Sequence, residues 1–279
     1  MTTDPTMIPW SVPGPEVPPD AHVLLAEAAR AAADAFRTAR QSYNRAQLAE
    51  KVQMGADGTP TMRLDILVDT AIAEVVDAHR ANLLSEEIGV IDNGSAVTLV
   101  VDPVDGTANA AAGVPLSAFS AALAVDGVPT EALTCWLDTG RCWHALAGRP
   151  TPYRTTGRTR LDGAAVSMLR PHTQNPDAAA AWWRVAERAA RVRILSTTCL
   201  EAALVAEGSI DCFADAASDT HRLVDLAAAM VMVPAAGGAV LDAHGRTLEI
   251  DPDLSRRWSG VIAASPQLAE ELAATIHGG

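Results

Sequence analysis

The stretch Val101 to Ala110, VDPVDGTANA, decides how this chain is read. An apolar run from Val97 leads into it, so a buried strand is expected to end at Asp102 and to deliver Asp102 and Asp105 to its mouth. Pro103 fixes φ and removes a backbone donor, which stiffens the turn. Such a turn aims two carboxylates and the Val104 carbonyl at one point, an oxygen cluster of the kind that hard divalent cations such as Mg²⁺ take. Gly106 lets the backbone come close to a ligand. A helix starting near Thr107 would direct free N–H groups and its positive dipole end at a phosphate. A plain surface turn is the competing reading, because Asp-Gly marks hairpins and Asp-Pro opens turns.

A second acidic cluster tips that balance. Leu83 and Leu84 precede Ser85-Glu86-Glu87, an apolar stub ending in paired acids and so another strand tip; standing alone it would read as a solvated Glu pair. The run from Asp57 to Asp65, DGTPTMRLD, leads into an Ala/Ile/Val-rich helical pattern that continues through Val76. Asp65 falls in the first turn of that helix, and Asp225 in the first turn of another that begins near Arg222. Helix capping alone would account for an acid at either place.

In order and form, the stretches DGTPTMRLD, SEEIGVIDNG, VDPVDGTANAAAGVP, VAEGSIDCFAD and RLVDLAAAMVMVPAAGG resemble the inositol monophosphatase superfamily of metal-dependent, lithium-sensitive phosphatases. The similarity is greatest to the archaeal and bacterial branch that combines inositol-phosphatase and fructose-1,6-bisphosphatase activity. It runs from Asp57 to Gly238, about two thirds of the chain. The resemblance implies an α+β fold, the layered αβαβα sandwich of that family, a homodimer, and two to three Mg²⁺ ions with Mn²⁺ as a substitute. By the same resemblance Glu86, Asp102 and the Val104 carbonyl hold the first ion, while Asp102, Asp105 and Asp225 hold the second. A weaker third sits near Glu86. Asp65 and Thr107 orient the attacking water, and Gly106 and Thr107 offer backbone N–H groups to the phosphate. Asp215 contacts substrate hydroxyls, and Thr198 lines the same pocket. Arg222 is a candidate for a second anionic group or a sugar edge. Arg170 and His172 could face the pocket mouth, although a solvated loop is the simpler reading for that pair.

The residue types suit the chemistry. A phosphate monoester dianion repels a nucleophile and has a poor leaving group, so catalysis is largely positioning plus electrostatics. A carboxylate-rich site without a nucleophilic Ser, Cys or His meets that demand, with Asp65 as the base. The expected activity is phosphomonoester hydrolysis of a small polyol, sugar or nucleoside phosphate by in-line attack of water, inositol-1-phosphate first. Fructose-1,6-bisphosphate, a nucleotide or a specialised metabolite is the alternative. A catalytically idle metal-binding homologue is the reading from another class, and the presence of Asp65, Glu86, Asp102, Asp105, Thr107 and Asp225 argues against it. Haloacid-dehalogenase-like enzymes place their two acids two apart, whereas Asp102 and Asp105 are three apart. No GxxxxGK[ST] occurs. Three departures touch the pocket: Met62 where the archaeal branch often has Lys, Ser196-Thr197-Thr198 where Gly-Ser or Gly-Thr is usual, and Val224 where animal enzymes have Trp.

Composition agrees with a globular enzyme. The chain has 279 residues, 49% hydrophobic, with a net charge of −13. That balance disfavours nucleic-acid partners. Its apolar runs stop short of the roughly 20 residues that span a bilayer, and the N-terminus lacks a secretory signal, so a cytoplasmic protein with a small phosphate ester as partner is expected. The leading reading of Cys135, Cys142, Cys199 and Cys212 is core filling, with a Cys135–Cys142 bridge across a hairpin as the lesser alternative. The expected organisation is a Pro-rich extended arm (1–20), an α+β subdomain with most metal ligands (21–150), and an α/β subdomain with Asp225 and the substrate side (151–279). One long helix is expected from Ala21 to about Val52.

Overall fold

The computed structural model describes residues 4–171 and 173–279. The first three residues of the arm and His172 lie outside the described residues. The chain opens with α1 (Val23–Ser42), α2 (Arg45–Leu48), a hairpin of β1 (Lys51–Met54) and β2 (Pro60–Met62), and α3 (Arg63–Ala78). Next come β3 (Asn82–Ser85), β4 (Gly89–Ile91), β5 (Val97–Asp105), the short α4 (Thr107–Ala112), β6 (Ala118–Val125), β7 (Val128–Trp136) and β8 (Cys142–Leu146). The second half holds β9 (Ala165–Met168), α5 (Pro176–Ala186), β10 (Arg191–Arg193), α6 (Thr198–Ala206) and β11 (Cys212–Ala214). It ends with α7 (Leu223–Ala235), β12 (Ala239–Asp242), β13 (Gly260–Ala263) and α8 (Pro266–His277).

Five layers follow from the alternation of side chains along the strands. A six-stranded sheet has the order β4-β3-β5-β6-β7-β8, and a five-stranded sheet the order β10-β9-β11-β13-β12. On the first sheet Leu83, Leu99, Val101, Phe119 and Leu123 pack under α1 and α3. Their neighbours Leu84, Val100, Ala122 and Ala124 point the other way, onto Val224 and Ala227 of α7. Phe213 and Ile262 of the second sheet close on α6 and α7 from the far side, and Val166, Met168, Val261 and Ala263 face α5 and α8. Helices α6 and α7 are therefore covered by a sheet on both sides and carry apolar residues on nearly every face. The α+β layered αβαβα sandwich is the observed architecture.

Two local expectations are corrected, and the packing of the arm is added. The single helix expected over Ala21 to Val52 breaks at Tyr43, which is extended (φ −126°, ψ 142°). Asn44 then caps α2 through a reciprocal capping box with Gln47, which a helix-period reading overlooks. The arm packs along the protein: Ile8 and Val12 are buried in the core under α1, and the Glu16 N–H donates to the Gly140 carbonyl at 2.7 Å. Finally, Cys135 and Cys142 form a disulfide rather than merely filling the core. The β7–β8 register sets the two directly opposite each other, which brings their side chains together. Cys199 and Cys212 are free and buried.

One buried ion pair ties these layers to the turn of that hairpin. Arg40 of α1 donates to Asp138 at 2.7 Å and to the Ala110 carbonyl of α4 at 3.3 Å, while the Ser117 hydroxyl donates to the other Asp138 oxygen at 2.8 Å. Removing one partner strands a buried charge. Arg40→Met is expected to lower unfolding free energy by about 3–5 kcal/mol, measured by guanidinium chloride denaturation.

Candidate active site

The site starts at a bulge. Asp102 pairs with Ser120 and Asp105 with Ala118, so three steps on β5 match two on β6. In a regular strand, residues three apart point to opposite faces. The extra residue reverses that parity, and both acids turn into the layer occupied by α6.

Asp105 then takes the place of a helix cap. Its Oδ2 accepts from the Cys199 N–H at 2.9 Å, the Leu200 N–H at 3.2 Å and the Thr197 hydroxyl. Thr197, the N-cap residue, makes no side-chain cap bond of its own, so an acid from another element satisfies the first turn of α6. Asn109 of α4 secures the same junction by donating to the Leu195 carbonyl at 2.8 Å. Ser196 has φ +60°, the left-handed region that favours glycine. It lies in the Ser196-Thr197-Thr198 stretch that departs from the expected Gly-Ser or Gly-Thr, and a serine takes the conformation that favours glycine. Gly106 caps α4 with φ +80°, and a Cβ there would meet the Leu116 carbonyl oxygen at 2.6 Å.

Parallel pairing of β3 with β5 matches Ser85 to Val101, and so carries Glu86 alongside Asp102. Asp225, in the first turn of α7, approaches from the middle helix layer. One oxygen from each of Glu86, Asp102 and Asp225 lies within 4.8 Å of the other two, and Asp102, Asp105 and the Cys199 Sγ form a second such group. Cys199 was read as core filling, and nothing in the cysteine spacing pointed here. Its thiol donates to the Asp225 carbonyl at 3.3 Å.

Arg222 sits among these acids. Its Nη2 is 2.6 Å from Glu86, its Nε 2.7 Å from Asp57, and its Nη1 3.5 Å from Asp225. Asp65, in the first turn of α3, is buried with the Thr107 hydroxyl against its carboxyl. Its Oδ1 has no hydrogen-bond partner, while the Thr107 hydroxyl donates to the Val104 carbonyl at 2.9 Å. Of the residues expected on the substrate side, Asp215 spends its carboxylate on its own loop, accepting from the Ser218 N–H at 3.0 Å and the Thr220 N–H at 2.9 Å. The Thr198 hydroxyl lies 3.0 Å from the His221 Nε2.

Charge decides what this cluster can hold. Burial, reinforced by the neighbouring carboxylates, pushes Glu86 and Asp102 well above the ordinary range. Burial likewise raises Asp105 to about 6 and Asp65 to about 8. Buried acids crowded in this way call for positive charge, and Asp65 offers an orphaned oxygen. The facing donors are carboxylate and carbonyl oxygens, which suit a hard divalent cation. Burial pushes the Cys199 thiol up, and its soft sulfur suits a hard cation less than the oxygens around it. The residues present therefore fit Mg²⁺.

Fold and site together define an acid-centred sandwich whose carboxylates converge at a strand end. The sequence profile of the inositol monophosphatase family matches residues 20–278. The chain is 30% identical over 253 residues to the fructose-1,6-bisphosphatase/inositol-1-monophosphatase of Methanothermobacter thermautotrophicus, covering 82% of this chain and 87% of that one. It is 32% identical over 225 residues to the inositol-1-monophosphatase ImpA of Mycolicibacterium smegmatis, covering 75% and 77%. The crystal structure of the extragenic suppressor protein SuhB from Bartonella henselae shares the fold with a TM-score of 0.76 at 24% identity, over 92% of this chain and all of that one. The chain belongs to the inositol monophosphatase family. Among the described residues no helix is long and apolar enough to cross a membrane.

Two predictions test this geometry. Gly106→Ala should cost roughly 1–3 kcal/mol of stability, read from a denaturant midpoint, because it meets both a positive φ and a backbone oxygen. Glu201 of α6 is buried, accepting from the Thr197 N–H at 3.2 Å and from the Ser167 hydroxyl, and burial lifts its carboxyl to about 8. Between its ordinary value near 4.5 and about 8, the folded chain holds a proton that the unfolded chain has released. This contribution is complete at low pH and is lost as pH rises through 8. Glu201→Gln should melt progressively higher relative to the parent as pH is raised across that window, in thermal scans at fixed ionic strength.

Proposed function

We propose that this chain is a Mg²⁺-dependent phosphomonoesterase acting on a small polyol, sugar or nucleoside phosphate, with an inositol-1-phosphate-like ester as the first candidate. The observation that carries the reading is the convergence of Glu86, Asp102, Asp105 and Asp225 at the end of β5, beside Asp65 and Thr107. Glu86, Asp102, Asp105, Asp225 and the Val104 carbonyl would hold two to three ions, with Mn²⁺ as a substitute. Bound Mg²⁺ supplies charge neutralisation at phosphate, a more acidic water and stabilisation of the departing oxygen.

The chain's own residues do the positioning. Asp65 is the proton acceptor: its free Oδ1 can accept from a water. Thr107 stands between Asp65 and the Val104 carbonyl and fixes the water's approach. The Gly106 and Thr107 N–H groups, at the start of α4, face the phosphate. Of the residues expected on the substrate side, Thr198 and Asp215 are buried and held by His221 and by their own loop, so they would shape that side from behind, and the exposed Ser196 would narrow the choice of alcohol. The names of the archaeal relative and of ImpA support inositol phosphate, and the former also supports fructose-1,6-bisphosphate as the second reading.

The test is phosphate release by purified protein from inositol-1-phosphate, fructose-1,6-bisphosphate, AMP, 3′-phosphoadenosine-5′-phosphate and sugar phosphates, each with Mg²⁺, EDTA or Li⁺. Turnover of one or more esters that EDTA abolishes is expected; absence of metal-dependent turnover on every ester would overturn the reading. Asp105→Asn keeps an oxygen for the α6 amides but loses the charge. It should cut Mg²⁺-dependent turnover by at least on the order of 10²-fold while leaving the thermal midpoint close to that of the parent.

A further inference from the structure

We propose that Arg222 is a built-in counter-ion: it occupies the Glu86 side of the acid cluster and competes there with divalent cations. The inference rests on the metal-dependent reading above and concerns how strongly the ions bind. Arg222 reaches Glu86 at 2.6 Å and Asp225 at 3.5 Å, and these two acids contribute to the same oxygen group as Asp102. Among the described residues no other basic side chain pairs with Glu86 or Asp225. The guanidinium keeps its charge at any working pH, and its planar fork matches several carboxylates at once.

The side chain is fixed at both ends. The Arg222 N–H donates to the Asp225 Oδ2 at 2.8 Å. The far end is held by Asp57, which in turn accepts from the Thr59 N–H at 2.8 Å and lies 3.4 Å from Arg257. A cation arriving at Glu86 and Asp225 therefore meets a standing positive charge and donors already engaged. Among the described residues Asp105 forms no ion pair with a guanidinium, and its Oδ2 is turned to α6 amides, whereas the charge of Arg222 also acts on Asp102. A cation should accordingly bind more weakly wherever it must share Glu86 or Asp225 with Arg222. In the metal-free chain the same guanidinium limits repulsion among the buried acids.

The experiment uses the full chain stripped with EDTA. Mg²⁺ and Mn²⁺ binding is followed by isothermal titration calorimetry, and thermal midpoints are recorded with and without each ion, for the parent, Arg222→Met, Arg222→Gln, Arg222→Lys and Arg257→Met. Arg222→Met and Arg222→Gln should melt lower without metal, bind at least one ion about tenfold tighter, and gain more from metal than the parent does. Arg222→Lys, which keeps the charge but not the fork, should bind ions less tightly than the two uncharged variants. Arg257→Met, which loses the contact to Asp57 but touches neither Glu86 nor Asp225, should bind as the parent does. Should Arg222→Met fail to fold without metal, Arg222→Gln, which retains hydrogen-bonding groups, carries the comparison. Equal or weaker binding in both uncharged variants would overturn the proposal while leaving the metal-dependent reading intact. A parent chain that binds neither ion would overturn both.

Discussion

The junction between the end of β5 and the first turn of α6 is the constraint on which the rest of the site depends. An acid from a strand satisfies the orphan amides of a helix in another part of the chain, and that single carboxylate fixes how the first sheet meets the middle helix layer. Everything around it follows this geometry. Gly106 is forced by the closeness of Leu116 and Thr197. Asn109 pulls the 195–196 turn against α4. Cys199 is brought under Asp102 and Asp225. A helix dipole directed at Asp105 also makes the negative charge more tolerable where several more are to be gathered.

Gathering them is the costly part of this fold. Glu86, Asp102, Asp105 and Asp225 come from the turn after β3, from β5 and from α7, and burial raises the pKa of the first three. A protein core does not normally accept such a cluster without compensation. The compensation within the chain is partial: one guanidinium on the Glu86 side and a set of helix amides on the Asp105 side. That leaves a site with a standing demand for cations. The same demand connects stability to function, since any ion that binds the folded chain stabilises it by mass action.

Supporting acids one step further out have a different role. Asp69 accepts from the Ser85 hydroxyl at 2.7 Å and from the Ile88 N–H at 3.0 Å, fixing the turn that presents Glu86. Glu87 is bonded to Thr61 of β2, which draws the β1–β2 hairpin over the site and brings Asp57 within reach of Arg222. The adjacent acids of Ser85-Glu86-Glu87 thus face separate tasks, one in the cluster and one in the scaffold.

Much of this was legible in the sequence, for a physical reason. A strand that must be buried declares itself by composition, as Val97 to Val101 does, and acids placed at its end have nowhere to go but a site. Hence the elements near residues 97–107, 165–168, 223–235 and 266–277 follow from local pattern, as does the short list of acids that the fold brings together. Other features depend on contacts between distant segments and leave no local trace. The packing of the arm belongs to that group. So do the bulge that turns Asp102 and Asp105 to one face and the Cys199 thiol beside them. Arg222 shows the difference most plainly. Its position before Asp225 suggested a contact for a substrate anion. Which anion it meets was decided by tertiary structure alone, because Asp57 and Glu86, 165 and 136 residues away in sequence, reach it only when the layers close.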